Sequence, residues 1–153
     1  EPSEVLVWRD EAKSLLNGKL PNVLLFEELL LELDSLDVLP KFSAVQSKVW
    51  VYEHCHQKAL TVTEDFVKSI KLIPGIRFEI INGGCCGMAG EFGYKHIEIS
   101  EQIAHNSLNV YMEKINSHDI LIATGTSCRK QILYVFDIQP MHLSSLLINL
   151  IKC

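Results

Sequence analysis

Residues 48–54 (KVWVYEH), 77–82 (RFEIIN) and 120–124 (ILIAT) are short β-rich runs, and an interval of helical character separates each from the next. Alternation of this kind is the grammar of an α/β domain, in which helical crossovers join parallel strands. The third run is almost wholly apolar, as expected of a strand covered by helices on both faces. Helices are expected from Thr61 to before Pro74-Gly75, and over residues 100–116, 129–136 and 142–151. Thr61 is placed to cap the first of them, with Glu64 reaching back. In the second, Ile99, Ile103, Val110 and Ile115 recur near a period of 3.6. The expected fold is α/β, a parallel sheet with flanking helices, over residues 47–153.

Residues 1–46 read as a helical block, with apolar residues at helical spacing over 9–16 and 24–36, separated by Asn17-Gly18 and Pro21. In the second helix Leu25, Phe26, Leu29, Leu30 and Leu33 would line one face and Glu27, Glu28 and Glu32 largely the other. Trp8, Trp50 and the phenylalanines are most simply core residues. Across 153 residues there are 14 Lys and Arg against 19 Asp and Glu, a net charge of −5 with no basic stripe, so no nucleic-acid partner is expected. With 48% hydrophobic and 22% charged residues, wholesale disorder is excluded. The longest apolar-rich stretch, 23–39, carries Glu27, Glu28, Glu32, Asp34 and Asp37 and is too acidic and short for a membrane span. The first residue is Glu1 and no leader pattern follows, so the chain is expected to be a piece of something longer.

The cysteines fall where the strands end. Cys55 follows the first run, Cys85 and Cys86 the second and Cys128 the third. In a parallel sheet these ends share one edge, outside which open α/β sheets bind their ligands. The 29 residues between Cys55 and Cys85, and the 41 between Cys86 and Cys128, each suit one crossover. Ser127 or Thr126 can cap the helix that holds Cys128, whose sulfur would then feel the helix dipole and the cations Arg129 and Lys130. Glycines 83, 84, 87 and 90 around Cys85 and Cys86 permit positive φ and close backbone approach, clearance that a bulky cofactor needs. Ligand arithmetic makes the quartet a candidate metal or cluster site, whereas Cys153, with no motif around it, reads as a small buried hydrophobe. His54 and His56 flank Cys55 as ligands, proton donors or supports, but on opposite sides of a strand both would not reach one ion. His96, His105, His118 and His142 read as surface or capping residues.

Three segments carry a family resemblance: His54-Cys55-His56-Gln57-Lys58-Ala59-Leu60; Gly84-Cys85-Cys86-Gly87-Met88-Ala89-Gly90 with Phe92-Gly93-Tyr94; and Gly125-Thr126-Ser127-Cys128-Arg129-Lys130-Gln131-Ile132. In this order they resemble the cysteine-rich CCG domain at the C-terminus of FAD-linked oxidases, related to the CCG-bearing component of heterodisulfide reductase and to the iron–sulfur subunit of glycolate oxidase. Glu1-Pro2-Ser3 and Arg9-Asp10-Glu11 resemble the tail of a preceding CCG repeat, which would make residues 1–46 its helical remnant. A full motif ends in Cys-x-x-Cys, but Gly125 stands three before Cys128, so one ligand of the complete set is absent.

The resemblance implies an electron-transfer domain of a parent that oxidises a D-2-hydroxy acid such as D-lactate or D-2-hydroxyglutarate. It implies that Cys55, Cys85, Cys86 and Cys128 hold a 4Fe-4S cluster, with His54, His56, Arg129 and Lys130 supporting it. FAD would belong to the parent only, because no G-x-G-x-x-G fingerprint occurs here. The fragment alone would not be catalytically complete. Partners would be the FAD-binding domain, the preceding cysteine-rich repeat and a downstream electron acceptor, in the cytoplasm or peripheral to the inner membrane through those partners. The rival expectations are structural zinc or a metal-free docking module, and, third, thiol–disulfide chemistry.

Overall fold

A computed structural model describes the chain apart from Asn17, Lys19, Thr61, Val62 and Cys153 and the side chains of Leu60 and Thr63. The expected Thr61 cap, the Asn17 break and the burial of Cys153 therefore lie outside the described residues. In chain order the elements are α1 (Pro2–Arg9), α2 (Glu11–Leu15), α3 (Phe26–Ser35), β1 (Lys48–Tyr52), α4 (Cys55–Leu60), α5 (Thr63–Lys71), β2 (Arg77–Ile80), α6 (Phe92–Lys95), α7 (Ile97–Met112), β3 (Ile120–Ala123), α8 (Thr126–Phe136) and α9 (Leu143–Leu150).

The strands form the expected parallel sheet in the order β2-β1-β3. Val51 lies opposite both Ile80 and Ile122, and Tyr52 opposite Ala123. Side chains alternate across a strand, so β1 serves two cores. Val49 and Val51 pack with Ile122, Phe66, Ile70 and Leu146 on one side of the sheet. Trp50 and Tyr52 pack with Leu121, Ala123, Leu108 and Ile132 on the other. The outer edge of β3 is closed by Met141, which donates to the Leu121 carbonyl at 2.8 Å and accepts from the Ala123 amide at 3.0 Å. Each strand stops before its expected end, because β1 keeps ladder partners only as far as Tyr52. His54, Asn82 and Thr124 consequently lie beyond the strands.

Helix α7 begins at Ile97 and turns a different face inward from the one its isoleucines suggested. Ser100, Ala104, Leu108 and Met112 are buried, while Ile99 is 52% and Val110 61% exposed. The cause is the glycine turn after β2, which presses its backbone onto the helix. A Cβ on Gly83 would lie 2.7 Å from the Ser107 carbonyl oxygen, and one on Gly87 (φ +90°) would overlap the Ser100 carbonyl. Leu108 and Ile103 pack against the same glycines. Ser100 Oγ donates to the Gly87 carbonyl at 3.0 Å and accepts from Gln131 Nε2 at 2.8 Å, tying turn, α7 and α8 together. The clearance at Gly83 and Gly87 is thus used by α7 rather than by a cofactor.

The N-terminal helix is divided at Asp10, and α1 starts with Pro2, whose missing N–H is harmless in a first turn. Arg9 clamps α1 onto the start of α3: its guanidinium donates to the Val23 carbonyl at 2.9 and 2.6 Å and to Glu28 Oε1 at 2.8 Å. Glu28 in turn accepts from the Leu25 amide at 2.8 Å. Trp8 is 43% exposed and so not a core residue, while Trp50 is. On α3, Glu27 and Leu29 exchange their expected places: Glu27 is buried, accepting from Gln57 Nε2, and Leu29 is 40% exposed. Facing α4, this part of α3 meets a polar partner, which the apolar period alone does not reveal.

Two outcomes test this packing. Gly90 has φ +62° and nothing near a would-be Cβ, so Gly90→Ala should cost about 1 kcal/mol of backbone strain. Gly87→Ala adds the overlap with Ser100 and should cost about 3 kcal/mol or more in urea unfolding; equal costs would contradict the close approach of α7. Burial, reinforced by the charges of Glu28 and Glu53, pushes the Glu27 carboxyl up from 4.5 to about 7. The folded chain then binds more protons than the unfolded one between these values, so stability should fall as pH rises from 4.5 to about 7 and level off above. The loss should be about 3 kcal/mol and be missing in Glu27→Gln. An unchanged pH slope in that variant would rule out Glu27 as its source.

Candidate functional site

Parallel pairing delivers the four motif cysteines to one edge of the sheet. Cys55 opens α4 just after β1, Cys85 and Cys86 sit in the turn after β2, and Cys128 lies in the first turn of α8 after β3. All four are free thiols. They interact in a chain, Cys55 with Cys85, Cys85 with Cys86 and Cys86 with Cys128. Cys55 is exposed and Cys85 half-buried, whereas Cys86 and Cys128 are buried. The Gly87 amide donates to Cys85 Sγ at 3.3 Å, as backbone N–H groups in such turns can do for anionic sulfur.

Backbone amides beside Cys55, Cys85 and Cys86 favour thiolates, but the remaining surroundings of these three sulfurs outweigh them and favour thiols. Burial and the neighbouring Cys85 push the Cys55 thiol up. The bond with Cys86, and then burial, push Cys85 up further. Cys86 is pushed up to about 12, first by its bond with Cys128. Beneath them lies Tyr52, wholly buried, whose hydroxyl donates to the Gly84 carbonyl at 2.5 Å. Burial and the proximity of all four cysteines raise its phenol far above the ordinary value. Lys58 stands 4.9 Å over the Tyr52 ring and donates to the Gly83 carbonyl at 2.9 Å.

Cys55, Cys85 and Cys86 line a cavity of about 470 Å³, walled on the other side by Glu1, Glu4 and Thr126. No lysine or arginine lines it among the described residues. Soft sulfur donors, flanking carboxylates and no competing cation suit a thiophilic metal or cluster, with Cys128 reached behind Cys86. Among the described residues no three His, Cys, Asp or Glu side chains surround one point as the ligands of a single ion. The sulfurs are strung along the strand ends instead.

The supporting residues are placed differently from expectation. With β1 ending at Tyr52, His54 and His56 are not on opposite sides of a strand, and their rings approach to 6.4 Å between centroids. Burial, then the nearby His56, lowers the His54 imidazole below its usual range. Its backbone N–H donates to Thr124 Oγ1 at 2.8 Å. Gly125 packs against this ring, where an added Cβ would come within 2.5 Å of His54 Cδ2. The space a cysteine would take in a full motif is therefore filled by His54. Arg129 does not turn to the thiols: it pairs with Glu1 at 2.6 Å and donates to the carbonyls of Ala123 and Thr124 at 2.8 and 2.9 Å. Lys130 lines a separate cleft with Tyr94 and Tyr134.

Neither Thr126 nor Ser127 caps α8. Its N-cap is Gly125, and the Thr126 amide is satisfied by Glu1 Oε2 at 2.7 Å. Of the remaining histidines, His142 caps α9 by accepting from the Ser144 amide, and His96, His105 and His118 are exposed, as expected. Sequence reasoning missed Tyr52 and Glu1. Tyr52 was within reach, since a period of two places it beside Trp50 on the inner face. Glu1 had no local signal, because its partners are 125 and 128 residues away.

No helix among the described residues is long and apolar enough to cross a membrane. No protein-family model matches the chain, and no solved structure matches it. Two proteins, each named D-2-hydroxyglutarate dehydrogenase, do match. The one from Pantoea ananatis (strain AJ13355) is 32% identical over 163 aligned residues covering 99% of this chain. The one from Escherichia coli (strain K12) is 32% identical over 157, again covering 99%. The chain spans about 15% of the length of either relative, so it is similar to one segment of a much larger dehydrogenase.

Proposed function

We propose that this chain is the cysteine-rich electron-transfer part of an FAD-linked dehydrogenase acting on a D-2-hydroxy acid, and that Cys55, Cys85, Cys86 and Cys128 hold a 4Fe-4S cluster there. The observation that carries the reading is the convergence of thiols from three strand ends: Cys55, Cys85 and Cys86 line one cavity with no lysine or arginine in its lining among the described residues, and Cys128 is hydrogen-bonded to Cys86. The two similar proteins support the dehydrogenase class and D-2-hydroxyglutarate as the substrate to test first. Substrate oxidation and FAD would belong to other parts of the parent, with residues 1–46 the helical remnant of a preceding repeat and residues 47–153 the cluster domain.

A thiolate-ligated iron–sulfur centre supplies one-electron transfer when bound. The chain's own residues supply the seat. The β1, β2 and β3 ends fix the spacing of the sulfurs, the Gly87 amide supports Cys85, and His54 fills the space beside Gly125. Tyr52 and Lys58 secure the carbonyls of Gly84 and Gly83, which holds the Cys85-Cys86 turn against the sheet.

The test is reconstitution of oxygen-free protein with ferrous iron and sulfide. Bound iron and sulfide with a broad visible absorption that dithionite bleaches are expected, and Cys86→Ser or Cys128→Ser should lower retained iron roughly tenfold or more. Zinc uptake in place of iron would shift the reading to a structural site. Iron retention unchanged in every Cys→Ser variant would overturn the ligand assignment.

A further inference from the structure

Glu1 serves two helices at once. Its backbone carbonyl accepts the Val5 amide at 3.2 Å and so opens α1. Its side chain crosses to the far end of the sequence, where Oε2 accepts from the Thr126 amide at 2.7 Å and Oε1 from Arg129 Nη2 at 2.6 Å. Helix α8 needs this help, because its N-cap is Gly125 and no side chain of its own caps it. A carboxylate there satisfies an orphan amide and meets the positive end of the helix dipole. Arg129 is anchored independently on the carbonyls of Ala123 and Thr124 at the end of β3, so it is a fixed post for the carboxylate. The pair is largely shielded, with side chains 26% and 20% exposed for Glu1 and Arg129. Despite burial, the hydrogen bonds from Thr126 and Arg129 hold the Glu1 carboxyl down at about 2.

We propose that Glu1 is a positioning residue for the thiol site: by bracing the start of α1 against Thr126 and Arg129, it holds the wall that restricts access to the half-buried Cys85. Glu1 and Glu4 form that side of the cavity, and α1 also packs on α4, the helix that Cys55 opens. The same contact occupies the charge of Arg129, which would otherwise stand one residue from Cys128. This inference concerns the thiol cavity whatever it binds, so it stands or falls separately from the cluster assignment.

The experiment uses the reduced, metal-free full chain and follows alkylation of each cysteine by iodoacetamide with site-resolved mass spectrometry. Loss of charge-assisted hydrogen bonds in Glu1→Ala should speed modification of Cys85 roughly tenfold, with faster amide exchange over α1, while Cys55, already exposed, should change little. Cys86 and Cys128, shielded by the core, should stay slow. Glu1→Gln, which keeps an acceptor for the Thr126 amide, should give a smaller increase, and Glu1→Asp should restore part of the protection. If all four cysteines accelerate together in these variants, Glu1 only stabilises the fold and the inference fails. It fails equally if Cys85 stays within about twofold of the wild-type rate; should Glu1→Ala not fold, Glu1→Gln decides by the same criteria.

Discussion

Strand β1 is paired in parallel on both sides, and the rest of the molecule follows from that arrangement. Parallel neighbours cannot be joined by tight turns, so each connection must cross over the sheet as a helical segment. Those segments cover both faces, which is why Val49 and Val51 belong to one core and Trp50 and Tyr52 to the other. The same constraint sends every strand toward one edge. Three cysteine-bearing segments leave from that edge, which brings residues 55, 85, 86 and 128 together.

Much of this was legible because it depends on periodicity and punctuation. The strand runs, the crossover intervals and the placement of cysteines after each run are local patterns, and the sheet reproduces them. What escaped notice depends on long-range approach. The inward face of α7 is chosen by the glycine turn that touches it, so Ser100 and Ala104 displace the isoleucines from the buried side. Glu27 is buried because Gln57, 30 residues on, offers it a hydrogen bond. His54 and His56 were misplaced because strand length is set by partner strands rather than by the β-propensity of residues 48–54. Glu1 is the extreme case, since nothing near it announces Arg129.

Electrostatically the thiol edge is acidic or neutral on every wall. Glu1 is already paired, Glu4 and the thiols face the cavity, and Lys58 points to a backbone carbonyl. The mutual contacts of Cys55, Cys85 and Cys86, together with burial, favour their protonated forms. Thiol ligands bind metal as thiolates, so a cation entering this cavity must displace protons as it arrives. Its positive charge would offset the repulsion among the thiolates so formed, which no lysine or arginine lining the cavity among the described residues offsets.

The edge is also assembled from segments far apart in the chain. Cys55 and Cys128 are neighbours only because β1 and β3 are paired, and Cys85 joins them only when β2 docks on the other side of β1. No single strand with its connection contains the constellation, and partial unfolding at any one strand dissolves it. Anything bound by all four sulfurs therefore acts as a cross-link among three strands, lending its binding free energy to the sheet as a whole. Occupancy and global stability become two readings of one equilibrium. The state of the thiol edge then reports whether the entire α/β layer is intact.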